Sequence, residues 1–305
     1  MQASLINVYD DDELVVAVAR GSVGDGLSVI PGGFVLLLCK QGSVTVEVRD
    51  EPIIARIRQL LMLPTHNITT SFSFSHDAHV IFVCISDKLL RVLLGQHIRA
   101  WNYAAFVLQQ HVCTANDATI STISHAIDAL QLLNDGIREG SYGRSLAHAH
   151  TRIVLLEACQ MFERSAGESE KDHKTQTVKV FQRFLDLLDN EGTTRHSVVY
   201  YAKQLCITPK YLSIVCLKHS NRTAKDWVNG YMLEAVRRCL TTSDMSMKEI
   251  SNKLGFPNAS YFGRFVKEHF GTTPLNYRVV SVKHSLPVPS IAGEEAASDA
   301  VAAAK

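Results

Sequence analysis

A short run near the C-terminal end gathers the groups a helix needs to touch DNA: Asn258, Ser260, Gly263, Arg264 and Lys267. Arg264 carries a planar fork of donors that can pair with the O6 and N7 edge of a guanine. Lys267, a point charge on a flexible stem, suits a phosphate oxygen. Asn258 could reach a base, but its first role at a helix start is as N-cap. Ser260 and Gly263 complete the exposed set. A second set lies upstream: Lys210, Ser213, Ile214, Leu217 and Lys218. Its Ile214 offers an apolar contact to a thymine methyl in place of a hydrogen bond. No nucleophile motif, P-loop or G-x-G-x-x-G accompanies them.

These groups need two short crossed helices beneath them, and the sequence supplies the signals. Ser246 and Glu249 form an S-x-x-E capping box that starts one helix. Gly255 follows Leu254, where a left-handed residue can end it. Pro257-Asn258 restarts the chain with Asn258 as N-cap. The pattern occurs twice. Ser197 opens the earlier copy, Cys206-Ile207 makes its turn, and Thr208-Pro209 supplies an N-cap followed by Pro at the first helical position. Ser197 and Ser246, Leu205 and Leu254, and Ile207 and Phe256 all repeat at an offset of about 50 residues. Between the copies, Ala224 to Leu240 places Trp227, Val228, Tyr231, Met232, Ala235, Val236 and Leu240 at helical spacing. Two readers joined by one helix would enter successive major grooves. Core positions are expected at Leu212, Val215, Cys216, Phe262, Phe265 and Val266, with Ala202 and Ser251 small where helices cross. Tyr211 and Tyr261 fit either packing or a phosphate contact, with packing favoured.

The segment from about Thr177 to Arg278 resembles the double helix-turn-helix domain of AraC-type transcription regulators. The most specific part is Ser260-Tyr261-Phe262 with Arg264 and Lys267, then Gly271-Thr272-Thr273-Pro274, Tyr277 and Arg278. The likeness covers about a third of the chain. It departs from the family pattern at Ile214, where Arg is usual, at Leu217, where a basic residue is usual, and at Cys206, where the turn often has Gly. The resemblance implies double-stranded DNA and RNA polymerase as partners. It also implies a cupin-like sensor domain that takes a small-molecule effector, although no residue identifies that effector.

Composition sets the frame. The formal net charge of the 305-residue chain is only +1, but residues 177–280 carry roughly +7 and the remainder is mildly acidic. The seven cysteines show no paired spacing and read as buried thiols of a reducing cytoplasm. There is no signal-peptide pattern, and the apolar runs are too short to span a bilayer.

Before the readers, β-type runs at 14–19, 33–40, 44–49, 67–75 and 79–85 suggest a small barrel or sandwich. Residues 53–63 fit a strand pair or a helix. Helical spacing follows from Leu89, over Ile120 to Ile137, and over Ala147 to Phe162, which carries Ile153, Leu156, Ala158 and Met161. Such helices suit a homodimer interface, with the alternative that they only cover the barrel. The expected fold is two-domain α+β: a cupin-like β-barrel or jelly roll with following helices over 1–165, a linker over 166–176, an all-α double helix-turn-helix domain over 177–280, and a disordered tail over 281–305. No cofactor is expected. Val44-Thr45-Val46 stands where a metal-binding cupin has His-x-His, His66 is isolated, and His76 and His79 lie in a turn-like stretch. The expected function is sequence-specific regulation of transcription. The alternatives are a cupin-type metalloenzyme fused to a DNA-binding domain and a regulator with no small-molecule ligand.

Overall fold

Period-two apolar runs and Gly-marked turns build the first half of the chain as antiparallel sheet. The computed structural model describes residues 4–23, 27, 29–48, 51–65, 68, 72–108, 111–136, 142–168, 175–191, 194 and 197–284. Strands β1 (Ser4–Asp10), β2 (Leu14–Arg20), β3 (Phe34–Gln41), β6 (Gln59–Pro64), β8 (His79–Ile85) and β9 (Val112–Thr114) form a six-stranded sheet in the order β1-β2-β8-β3-β6-β9. Strands β4 (Ser43–Val48), β5 (Glu51–Arg56) and β7 (Ser73–Phe74) form a second sheet in the order β5-β4-β7. The described strands thus make two separate sheets and not one closed ring. Residues 53–63 are a strand pair, and of the run expected over 67–75 the described residues include β7 and a bridge at Ile68, with residues 67 and 69–71 lying outside the described residues.

The sheets share an apolar layer. Val15, Ala17, Val35, Leu37, Val80 and Phe82 of the large sheet meet Val44 and Val46 of the small one. Because β3 is buried on both faces, Phe34, Leu36 and Leu38 point the other way and are buried as well. Full burial of side chains of this size is worth about 1.5–3 kcal/mol each. Gly42 makes the turn between β3 and β4 at φ +70°, a conformation open to glycine at little cost.

Helices follow: α1 (Asp87–Leu94), a 3-10 turn (Gly95–His97), α2 (Ile98–Asn102), a π-helical segment (Tyr103–Leu108), α3 (Asp117–Gly136) and α4 (Gly143–Glu168). The inward face of α4 is Thr151, Val154, Leu155, Ala158, Cys159 and Phe162, so Ile153 is exposed rather than core. Then come α5 (Gln176–Glu191), α6 (Val198–Gln204), α7 (Pro209–Ser220), α8 (Ala224–Thr242), α9 (Met247–Lys253), α10 (Ala259–Phe270) and α11 (Pro274–His284). Helix enters the segment expected as linker from both ends, through Glu168 and from Gln176, and enters the start of the segment expected as tail through His284. Residues 169–174 and 285–305, with Ile137, His66 and Arg195, lie outside the described residues. The chain packs as two compact units, one of residues 1–190 and 197–227, the other of 191–196 and 228–305.

Candidate nucleic-acid interface

The first reader is α6 and α7. Ser197 caps α6, its Oγ accepting from the Tyr200 N–H at 3.3 Å. The turn closes with the Cys206 N–H on the Lys203 carbonyl (3.1 Å) and the Ile207 N–H on the Ala202 carbonyl (3.0 Å), the paired bonds of a Schellman motif. Cys206 holds the left-handed position at φ +55°. Thr208 then caps α7, accepting from the Tyr211 N–H at 3.1 Å. Leu212, Val215 and Cys216 are buried beside Tyr201 and Ala202, and Phe184 of α5 meets Tyr201 edge-on at 5.7 Å. The opposite side of α7 presents Lys210, Ile214, Leu217 and Lys218, with Ser213 half-buried; Ile214 is 52% exposed.

The second reader repeats this geometry. Ser246 and Glu249 make a reciprocal capping box: the Glu249 N–H donates to Ser246 Oγ at 3.2 Å, and the Ser246 N–H to Glu249 Oε2 at 2.7 Å. Those hydrogen bonds hold the Glu249 carboxyl below the usual range. The turn bonds recur, from the Gly255 N–H to the Asn252 carbonyl (3.1 Å) and from the Phe256 N–H to the Ser251 carbonyl (2.9 Å), with Gly255 at φ +70°. Asn258 Oδ1 accepts from the Tyr261 N–H at 2.9 Å, so this amide is the N-cap of α10. Phe262 and Val266 are buried against Ile250, Leu254 and Phe256 and against Met232, Val236 and Leu240 of α8. Phe265 is only half-buried, on Phe256.

Ser260, Arg264 and Lys267 stand exposed on the outer face of α10, with Gly263 half-buried between them and nothing within 4 Å of where its Cβ would be. Tyr261 lies there too, 45% exposed, with the Arg264 guanidinium 4.5 Å from the centre of its ring. The sequence favours packing for Tyr211 and Tyr261. The structure puts both at the surface, because the buried stripe of each helix runs through Leu212 and Phe262 instead. Sequence reasoning misses the stack of Tyr261 on Arg264, whose signal is the i,i+3 spacing. Arg278 is turned inward: its Nε donates to the Leu240 carbonyl at 3.2 Å, and Tyr277 meets Phe270 at 4.9 Å. The aromatic-Arg pair therefore closes the end of α8.

Six of the seven cysteines are buried, and burial pushes the Cys84 thiol up to about 11. Cys206 corrects the expectation, since the turn leaves it exposed. His79 begins β8, and His76 is in the turn before it. Among the described residues no three His, Cys, Asp or Glu side chains group as metal ligands would. No helix among them is long and apolar enough to cross a membrane. A groove of about 740 Å³ lies between α2, the π-helical segment, α4 and α5, lined by Tyr103, Ala104, Phe162, Glu163, Gln182 and Asp186.

Two capped helix pairs with exposed polar and basic faces define a helix-turn-helix DNA-binding protein. The comparisons with known proteins agree. A family model described as a helix-turn-helix domain matches residues 201–279. The regulatory protein PocR of Salmonella typhimurium is 26% identical over 238 residues, 70% of this chain and 76% of PocR. The transcriptional activator NphR of a Rhodococcus species is 24% identical over 161 residues, 52% of this chain and 39% of NphR. A structure of ToxT from Vibrio cholerae aligns over 88% of this chain and 98% of its own at 13% identity, with a TM-score of 0.34. Residues 201–279 thus carry a helix-turn-helix domain, the chain is similar to these transcription regulators, and its function is DNA-binding regulation of transcription with double-stranded DNA as partner.

Proposed function

We propose that this regulator reads specific DNA through Ser260, Gly263, Arg264 and Lys267 of the second reader and Lys210, Ser213, Ile214 and Lys218 of the first. Asn258 caps its helix and adds at most a secondary contact. The observation that carries the reading is the outer face of α10, where Arg264 is exposed, stacked on Tyr261 and one turn from Lys267. Stacking limits the rotamers of the guanidinium before DNA arrives, which lowers the entropy lost on pairing with a guanine. Each protomer should occupy two major-groove segments about 10–10.5 bp apart, because the reader is duplicated across one helix. Footprinting on DNA selected from random sequence tests this; one protected segment per protomer would sink it.

The strand-bearing region is proposed as a cupin-like sensor in a chain organised as sensor to 165, linker to 176 and readers to 280. The apolar layer between the two antiparallel sheets supports the sensor. A small-molecule effector is part of the proposal. The groove by α5 has the volume of a ligand site and touches the helix that leads into the first reader. RNA polymerase, a homodimeric state and a reducing, cytoplasmic setting complete the reading, the last supported by the free thiols.

A further inference from the structure

The first reader is anchored by residues far from it in sequence. Asp87 opens α1, and its carboxylate takes two guanidinium groups. Arg91 Nε lies at 2.9 Å and Arg222 Nη2 at 2.5 Å, the latter just beyond the left-handed cap of α7 at Asn221. All three side chains are largely out of water. Both guanidinium groups also lie over the Trp227 ring, at 5.5 and 5.4 Å, and Arg222 reaches the Phe106 ring at 6.0 Å.

Trp227 is wholly buried. Its Nε1–H donates to Ser220 Oγ at 2.8 Å, and the Ser220 hydroxyl donates to the Cys216 carbonyl, also at 2.8 Å, within α7. The indole meets Phe106 and Phe181 edge-on at 5.4 and 5.7 Å. Phe106 continues to Phe34, the first residue of β3, at 5.7 Å. Phe106 belongs to the π-helical segment, a form that is rare and frequent at functional sites.

A largely buried ion cluster is a poor way to gain stability, because desolvation offsets most of the Coulomb attraction. Burial would raise the Asp87 carboxyl, yet Arg91 and Arg222 outweigh it and hold the group ionised, below its ordinary value. The best-attested use of such clusters is to fix register between elements. Here the elements are α1 and the π-helical segment on one side and the end of α7 on the other. Meanwhile Lys210, Ile214 and Lys218 remain exposed on α7. The cluster therefore leaves the recognition face open.

We infer that the Asp87–Arg222 pair and the Trp227 socket form a joint through which the strand-bearing region sets the placement of the first reader. The inference rests on the reading of α6 and α7 as a DNA reader. It also names a contact path: a shift of β3, whose Val35 and Leu37 line the layer between the sheets, reaches α7 through Phe34, Phe106 and Trp227.

The test uses the full chain with Asp87→Asn, Arg222→Met and the double variant. Amide hydrogen exchange is followed over residues 198–220, with 247–270 as internal reference. Affinity is measured on DNA selected from random sequence by the wild-type protein. Asp87→Asn leaves two buried guanidinium groups unneutralised, so exchange in 198–220 should rise by at least ~10-fold and DNA binding should weaken by about 10-fold. Arg222→Met leaves the Arg91–Asp87 pair whole and should do less. The double variant should be no worse than Asp87→Asn, because both changes act on one interaction. Unchanged exchange in 198–220, an equal rise in 247–270, or additive effects in the double variant would overturn the joint. If Asp87→Asn unfolds the chain, Trp227→Phe replaces it in the same assay: it keeps an aromatic ring but loses the bond to Ser220, and the same exchange pattern decides. Should the wild-type protein select no DNA sequence, the reader assignment fails, and the exchange measurement still judges the joint.

Discussion

Arg264 stands outward because α10 turns its apolar stripe inward through Phe262 and Val266, which puts residues 260, 264 and 267 on the outer face. Replacing Arg264 with Ala should cost about 1–3 kcal/mol of specific binding and relax sequence choice at one base pair. Lys267→Ala should weaken binding to all sequences and lower the salt slope by about one unit. Titrations against selected and random DNA at several salt concentrations separate the two; an Arg264→Ala variant that discriminates as well as wild type would remove Arg264 from base reading. The two turns make a second comparison. Gly255 and Cys206 occupy equivalent left-handed positions, and only glycine does so without Cβ strain. Gly255→Ala should therefore destabilise its reader by about 1 kcal/mol, whereas Cys206→Gly should be neutral or stabilising by up to about 1 kcal/mol. Chemical denaturation of both variants checks the opposite signs. The left-handed position is legible at Gly255 from residue type, and at Cys206 only from its place in the repeat. The exposure of Tyr261 is not legible, since an aromatic residue at helical spacing reads equally well as core.

Caps decide where the reader helices begin. Ser246 satisfies the Glu249 N–H and receives a carboxylate on its own N–H in return. Ser246→Ala should cost about 0.5–2 kcal/mol, seen as a lower melting temperature. Glu249 adds a pH term. Its folded-state value is depressed by the hydrogen bonds from Ser246. The contribution is thus fully present above the unfolded carboxyl value, about 4.3, and is lost as pH falls through the lower folded value. Protection factors at residues 247–253, taken against the intrinsic exchange rate at each pH, should fall in acid, and Glu249→Gln should flatten that fall. These elements are readable because caps, turns and period all agree locally. The same holds for β2, β3, β4 and β8. The short pieces β9, α2 and the π-helical segment carry too few residues to show a period, and their form depends on packing around Phe34, Trp101 and Phe106. The Asp87–Arg222 pair is equally invisible, because nothing in the sequence joins residues so far apart.

At the scale of the molecule, the charge asymmetry between the two parts of the chain marks the DNA-binding region, but packing divides the chain elsewhere. The first reader shares a compact unit with residues 1–190, and the second reader lies in the other. Composition does not show this, because the tie is made by Trp227 and Arg222, residues that look ordinary in a basic amphipathic stretch. The first unit also leaves apolar side chains in water where α3 and α4 run: Leu132 is 75% exposed and Ile153 is 41% exposed. The exposure of Ile153 gives α4 a second face for a partner to cover. A second copy of the chain is the simplest cover, since like surfaces pair across a two-fold axis. The full chain should therefore sediment as a dimer, and Leu132→Glu combined with Ile153→Glu should yield a folded monomer, because two carboxylates cannot be desolvated against each other. Dimerisation makes the second protomer's DNA contact intramolecular, a gain on the order of 10²–10⁴ where both sites are reachable. The doubly substituted chain should lose affinity by that factor on a two-site DNA while binding a single site as well as wild type does. A wild-type chain that sediments as a monomer, or a substituted chain that stays dimeric, would place the interface elsewhere.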